Sequence, residues 1–174
     1  MNRPARRGPP TDDELVASAR RLGRALVKGG WQLASAESCT GGLVGHIITQ
    51  VPRSSDHYLG GIVSYSNAVK EDLLDVPADL LERVGAVSAE VAEAMTTGAL
   101  TRFPVARLVL AVTGIAGPDG GSEEKPVGLT YVAAAVRDGT AAVERHTWPH
   151  DRDGNKRASV LAALELATRL ASEA

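Results

Sequence analysis

Residues 107–112, RLVLAV, form an almost unbroken apolar run that leads through Thr113 into GIAGPDGGSEEKPVG. A strand that is apolar on both faces has to be covered on both faces, which points to the interior of a sheet flanked by helices. The segment after it, crowded with glycine and broken by proline, has no regular pattern of its own. The helices must close tightly on that sheet, because the chain is 44% hydrophobic but only 3% aromatic, leaving Ala, Val, Leu and Ile to fill the core. At 174 residues the expectation is one domain large enough to bury such a core.

The flanking pattern supplies the helices and the remaining strands. Thr11 followed by Glu14 predicts a capping-box helix start, with Leu15, Ala19, Leu22 and Leu26 on one face and a stop at Gly29-Gly30. WQLASA (31–36) reads as a short strand and CTGGLVGHIITQ (39–50) as a glycine-opened helix. YLGGIVSY (58–65) reads as a second strand, with Ser66-Asn67 capping a short helix through Leu74. Residues 88–102 predict a Ser-capped helix, 128–136 and 141–147 two strands around an Arg137-Asp138-Gly139 turn, and 153–172 a final helix. Helices alternating with buried strands imply an α/β three-layer sandwich around a mixed, mostly parallel sheet, with one antiparallel hairpin. The Pro-rich MNRPARRGPP (1–10) is expected to be a disordered tail ahead of a domain over 11–174.

Charge and composition narrow the function. Lys and Arg number 19 against 21 Asp and Glu, a net charge of −2, and no basic run interleaves with aromatics, so nucleic acid is not the expected partner. No apolar run approaches the ~18 residues of a membrane span, and the N-terminus has no signal-peptide core; with the single cysteine, this suggests a cytoplasmic protein. The four histidines, His46, His57, His146 and His150, stand in no triad or metal-ligand spacing. No metal and no cofactor are therefore expected.

Three loops fall where strands lead into helices: ESCTGG, YSNAVK and TGIAGPDGG. Ligands gather at such carboxyl ends. In the first, Ser38 and Cys39 both offer a nucleophile, and the amides of Thr40, Gly41 and Gly42 are expected to be free to face a developing negative charge. Equally, Ser38 or Thr40 could simply cap the helix. Without a histidine, the base has to come from elsewhere, and YSNAVK offers Tyr65 and Lys70. With Asn67 as cap, Lys70 takes the third helical position, where the dipole disfavours its charged form; the alternative is an exposed lysine pairing with Glu71 or Asp72. The loop holding Gly114, Gly117, Gly120, Gly121 and Gly128 could cradle a phosphate, although it lacks the GK[ST] ending of a P-loop. Arg152 and Arg157 could add positive charge, or belong to an exposed DRDGNKR turn.

Taken together, AESCTGG, VSYSNAVK, GAVSAEVAEAM and above all TGIAGPDGGSEEKPVG resemble the C-terminal domain of the CinA (competence/damage-inducible) family, in order and with matching spacing from about Asp13 to the last helix. That family includes stand-alone nicotinamide-nucleotide amidases. Its longer members carry an extra N-terminal domain, and a chain of this length is expected to be the single-domain form. The resemblance implies hydrolysis of the carboxamide of nicotinamide mononucleotide to nicotinate mononucleotide and ammonia, with Ser38 as nucleophile, Lys70 as its base and Tyr65 as a supporting hydroxyl. It further implies that Thr40, Asn67, Thr113 and the loop 114–121, with Gly114, Ala116, Gly117, Gly120 and Gly121, line the pocket. The carboxamide oxygen would then lie among the Thr40, Gly41 and Gly42 amides, with the phosphate on the glycine loop or Arg152. A homo-oligomer is plausible on the same grounds. The alternative is a non-catalytic nucleotide-binding module of the same family.

Overall fold

The computed structural model describes residues 8–173. Along the chain run α1 (Asp12–Gly29), β1 (Leu33–Glu37), α2 (Leu43–Thr49), a 3₁₀ turn (Ser54–Asp56), β2 (Tyr58–Val63), α3 (Asn67–Leu74), α4 (Ala78–Val84), α5 (Ala89–Arg102), β3 (Leu108–Gly114), β4 (Leu129–Val136), β5 (Ala141–Thr147) and α6 (Arg152–Glu173). The strands form one sheet in the order β2-β1-β3-β4-β5. β1 pairs in parallel with both β2 and β3, while β4 is antiparallel to β3 and β5 to β4. Four of the five strands therefore share one direction, and the hairpin expected at 128–147 supplies the reversed one.

Alternation along the central strands explains the three layers. Leu33, Leu108, Leu110 and Val112 face α1, α2 and α6, where Leu15, Leu22, Ile47 and Leu164 meet them. Ala34, Ala36, Val109 and Ala111 face the other way, onto Val91, Met95 and Ala99 of α5. Each fully buried Leu or Met contributes ~1.5–3 kcal/mol, so the two apolar layers hold the sheet from both sides. The second layer uses small residues because its backbones come close. A Cβ on Gly98 would lie 1.8 Å from the Leu74 carbonyl oxygen, so only glycine lets α5 sit against the end of α3.

Helix ends follow local chemistry. The Thr11–Glu14 capping box is formed in full, and Gly30, at φ 65°, closes α1 by donating to Leu26 and Val27. α2 begins at Leu43 rather than at residue 39, because Gly41 and Gly42 take left-handed conformations and turn the chain first. The short α4 lies in a stretch for which the sequence pattern predicted nothing; its seven residues form one packing contact layer through Leu81 and have no side-chain cap. Residues 1–7 of the expected tail lie outside the described residues. Pro10, by contrast, is buried, and its carbonyl accepts from Arg157 of α6. Among the described residues, no helix is long and apolar enough to cross a membrane.

Candidate active site

β1 and β3 end side by side, and Ser38 is the first residue beyond β1, its N–H donating to the Val112 carbonyl at 2.9 Å. The turn that follows is held by the side chain immediately before it. Glu37 is 2% exposed, and its Oε2 accepts from Thr40 Oγ1 at 2.7 Å, Gly42 N–H at 3.0 Å and Val44 N–H at 3.0 Å, while Oε1 accepts from Gly45 N–H at 2.9 Å. One carboxylate thus satisfies the donors that the start of α2 leaves open. Gly41 N–H folds back onto the Ser38 carbonyl at 3.0 Å. The expectation that the Gly41 and Gly42 amides are free is therefore corrected. Among the described residues, Cys39 and Thr40 N–H are the amides of this turn that have no backbone or carboxylate acceptor.

Lys70 reaches the same point from α3. Ser66, extended at φ −88° and ψ 160°, is the N-cap, and its hydroxyl accepts from Val69 N–H. Asn67 is the first helical residue and Lys70 the fourth, so the cap lies one residue earlier than the sequence suggested. The Lys70 side chain points inward. It is 1% exposed, and Nζ donates to Ser38 Oγ at 3.0 Å, to the Ser64 carbonyl at 2.7 Å and to the Tyr65 carbonyl at 3.3 Å. Neither Glu71 nor Asp72 forms an ion pair with it. Burial lowers the Lys70 pKa below its ordinary 10.5.

Ser38, Lys70 and Tyr65 line one side of a cavity of about 290 Å³, and Cys39 lines it beside them. Thr113, Gly114, Ala116, Gly117, Gly120 and Arg152 line the other. Arg152 bridges the two, with Nη1 donating to the Gly117 carbonyl at 2.6 Å and Nη2 to the Tyr65 phenol at 3.2 Å. Five residues expected in the pocket lie off its wall. Thr40, Gly41 and Gly42 are held in the Glu37 turn, and Asn67 is exposed at the start of α3. Gly121 faces the returning limb of its own loop, where a Cβ would lie 2.7 Å from Val127 N. Arg157 is also elsewhere, paired with Asp12 and Asp153.

Three side chains that the sequence reading did not assign hold this wall. Glu37 is one; its signal was an acid closing an otherwise small, apolar strand ahead of a glycine turn. Asn155 is 1% exposed, donates to the Ala116 carbonyl at 3.0 Å and accepts from His150 N–H at 3.1 Å, so DGNKR belongs to the first turns of α6, with Gly154 and Asn155 buried and Asp153 exposed. Lys125 donates to the Val84 and Val87 carbonyls and clamps the glycine loop to the segment before α5; Thr113 Oγ1 donates to Ala86 in the same place. Cys39 is buried, and burial pushes its thiol up to about 12, which leaves it un-ionised. Among the described residues, no three His, Cys, Asp or Glu side chains come together as a metal would need.

A family model of the CinA C-terminal domain matches residues 16–171. The chain belongs to the CinA C-terminal domain family. A CinA-like protein of Desulfotalea psychrophila is 55% identical over 118 residues, 68% of this chain and 28% of that protein. One from Parasynechococcus marenigrum is 47% identical over 156 residues, 89% of this chain and 36% of that protein. The CinA domain thus spans about a third of the length of these relatives. Solved structures of similar size also match. The competence/damage-inducible protein of Agrobacterium tumefaciens superposes with a TM-score of 0.87 at 39% identity, covering 92% of this chain and 96% of that one. A CinA-superfamily protein of Klebsiella pneumoniae gives 0.87 at 30% identity, covering 92% and 99%.

Proposed function

We propose that this CinA domain is a nicotinamide-nucleotide amidase, releasing ammonia from nicotinamide mononucleotide to leave nicotinate mononucleotide. The observation that carries the reading is the 3.0 Å contact between Lys70 Nζ and Ser38 Oγ, inside a cavity that no histidine lines. A lysine that has lost its proton takes the hydroxyl proton as Oγ attacks the carboxamide carbon. The lowered Lys70 pKa makes that neutral form accessible. The oxyanion forms beside Cys39, which lines the cavity next to Ser38 and whose N–H has no backbone or carboxylate acceptor. Lys70 then returns the proton to the departing nitrogen, ammonia leaves, and an ester to Ser38 remains. Water, deprotonated by the same lysine, attacks that ester, frees the carboxylate and restores Ser38.

The substrate's charges fit the remaining wall. Arg152 has guanidinium N–H groups beyond the two it uses and suits a phosphate, and the glycine loop brings main-chain amides to the same side. Self-association of the chain and its work in pyridine-nucleotide salvage in the cytoplasm belong to this reading.

A coupled ammonia assay on the purified chain tests it. Nicotinamide mononucleotide should release ammonia much faster than nicotinamide riboside or free nicotinamide. Binding of the mononucleotide without any ammonia release would replace the amidase with a nucleotide-binding domain. Equal rates on all three compounds would remove the phosphate argument while keeping the serine-lysine chemistry.

A further inference from the structure

A second cavity, of about 690 Å³, lies between the C-terminal half of α1 and residues 51–57. It stands at the other end of β1 from Ser38, since the His57 carbonyl accepts from the N–H of Leu33, the first residue of that strand. Its volume is that of a small-molecule site rather than a packing flaw. Gly23, Val27, Val51 and Pro52 give it apolar walls, and the His57 ring completes them.

The rim carries the opposite character. Arg20, Arg24 and Lys28 follow one another at four-residue intervals along α1, and all three border the cavity. Like charges at that spacing repel, and none of the three forms an ion pair or hydrogen bond with another described residue. Arg53 faces them from the far side, held by Asp56, the one carboxylate of the wall, at 2.9 Å. Unpaired positive charge is thus gathered around an apolar hollow in a chain whose net charge is −2.

The wall itself is built around one ring. His57 is 5% exposed, and its Nδ1 has no hydrogen-bond partner among the described residues. A Cβ on residue 23 would lie 2.9 Å from His57 Nε2, so glycine there leaves the imidazole its place. A buried polar atom without a partner is uncommon in folded proteins, and the place of this ring is not set by a hydrogen bond at that nitrogen. Burial lowers the His57 pKa and keeps the ring neutral, a flat surface rather than a fifth cation.

We propose that this cavity binds a small organic anion, with a flat apolar ring against Gly23, Val27, Pro52 and the His57 imidazole and a phosphate or carboxylate held by Arg20, Arg24 and Lys28. The site is separate from the Ser38 cavity, and the proposal does not rest on the amidase reading.

Residue-resolved NMR titration of the full chain tests it, with phenyl phosphate, inorganic phosphate and phenol as probes. Phenyl phosphate should move the Gly23, Arg24, Val27 and His57 signals saturably, and bind about tenfold or more tighter than either fragment, because only it uses both the ring surface and the cations. Arg20→Glu combined with Arg24→Glu, two exposed positions that leave the core alone, should abolish those shifts, whereas Arg152→Ala should leave them unchanged. The proposal is overturned if the shifts cluster only around Ser38 and Arg152, if the three probes bind alike, or if the charge-reversed double variant binds phenyl phosphate as the parent does.

Discussion

Two charges of opposite sign are buried on either side of Ser38, and they are held in different ways. Glu37 sits at the end of β1 with four donors converging on its two oxygens, three of them main-chain amides of one turn. Lys70 sits in the first turn of α3 with two main-chain carbonyls and the Ser38 hydroxyl around Nζ. The ring of donors around Glu37 fixes geometry, and its one hydroxyl partner, Thr40, is fully buried and off the cavity wall. The surroundings of Lys70 lower its pKa, and one of its partners is a hydroxyl that can surrender a proton. A buried charge can therefore serve as scaffold or as reagent, depending on whether its partners can take part in proton transfer.

The sharpest way to break this contrast is to remove the reagent. Ser38→Ala and Lys70→Met should each lower kcat by about a thousandfold or more with the fold retained, and the double variant should be scarcely worse than either single one, because the two act as a unit. Additive losses in a steady-state ammonia assay would mean that the pair does not work together. Removing the scaffold should do less to the rate and more to the fold. Glu37→Gln presents an amide N–H₂ to donors that need an acceptor, so it should lower kcat ~10- to 100-fold through a displaced Ser38 and cost about 1–3 kcal/mol of stability in denaturant unfolding. A loss of activity equal to that of Ser38→Ala, with stability unchanged, would make Glu37 a reagent too.

Two further effects are smaller and separate binding from chemistry. Arg152→Ala should raise KM about tenfold with little change in kcat, while Arg157→Ala should leave KM alone, since Arg157 is occupied by Asp12 and Asp153. A rise in KM for Arg157→Ala would place the phosphate on the wrong arginine. Cys39→Ala should keep activity within a few-fold and cost ~1 kcal/mol, because the thiol is a small buried group pushed up to about 12. Rapid alkylation near neutral pH would contradict that.

The Lys70 pKa also has a pH signature. Its folded value lies below the ordinary 10.5, so across the interval between the two the unfolded chain binds more protons than the folded one. Stability from this group should therefore rise with pH across that interval, and kcat should rise with pH through the folded value. Lys70→Met should flatten the stability rise in thermal unfolding at a series of pH values. A parent and a variant with the same slope would show that the lysine is not held in a protonation state that burial disfavours.

Most of the fold was legible because it rests on short-range patterns. The apolar RLVLAV run, the Thr11–Glu14 box and the glycine stop at Gly30 each act within a few residues, and each is found where the pattern implied. α4 escaped notice because seven residues with no side-chain cap give no signal that stands out from a loop. The site divided in the same way. Ser38, Lys70, Tyr65, Arg152 and much of the glycine loop do share one cavity, whereas Thr40, Gly41 and Gly42 are turned aside by Glu37, whose four partners lie three to eight residues further along.

By itself the sequence determined the alternation of helices with buried strands, the positions of the glycine turns and the absence of any histidine triad spacing, because side-chain period and turn chemistry are local properties. Only the tertiary structure decided that Lys70, thirty-two residues from Ser38, points inward onto its hydroxyl, that Arg152 faces the cavity while Arg157 faces Asp12, and that a hollow rimmed by Arg20, Arg24 and Lys28 opens beside His57. Those facts depend on which helix faces pack against which sheet edge, and that is set by the whole core at once rather than by any stretch of the chain.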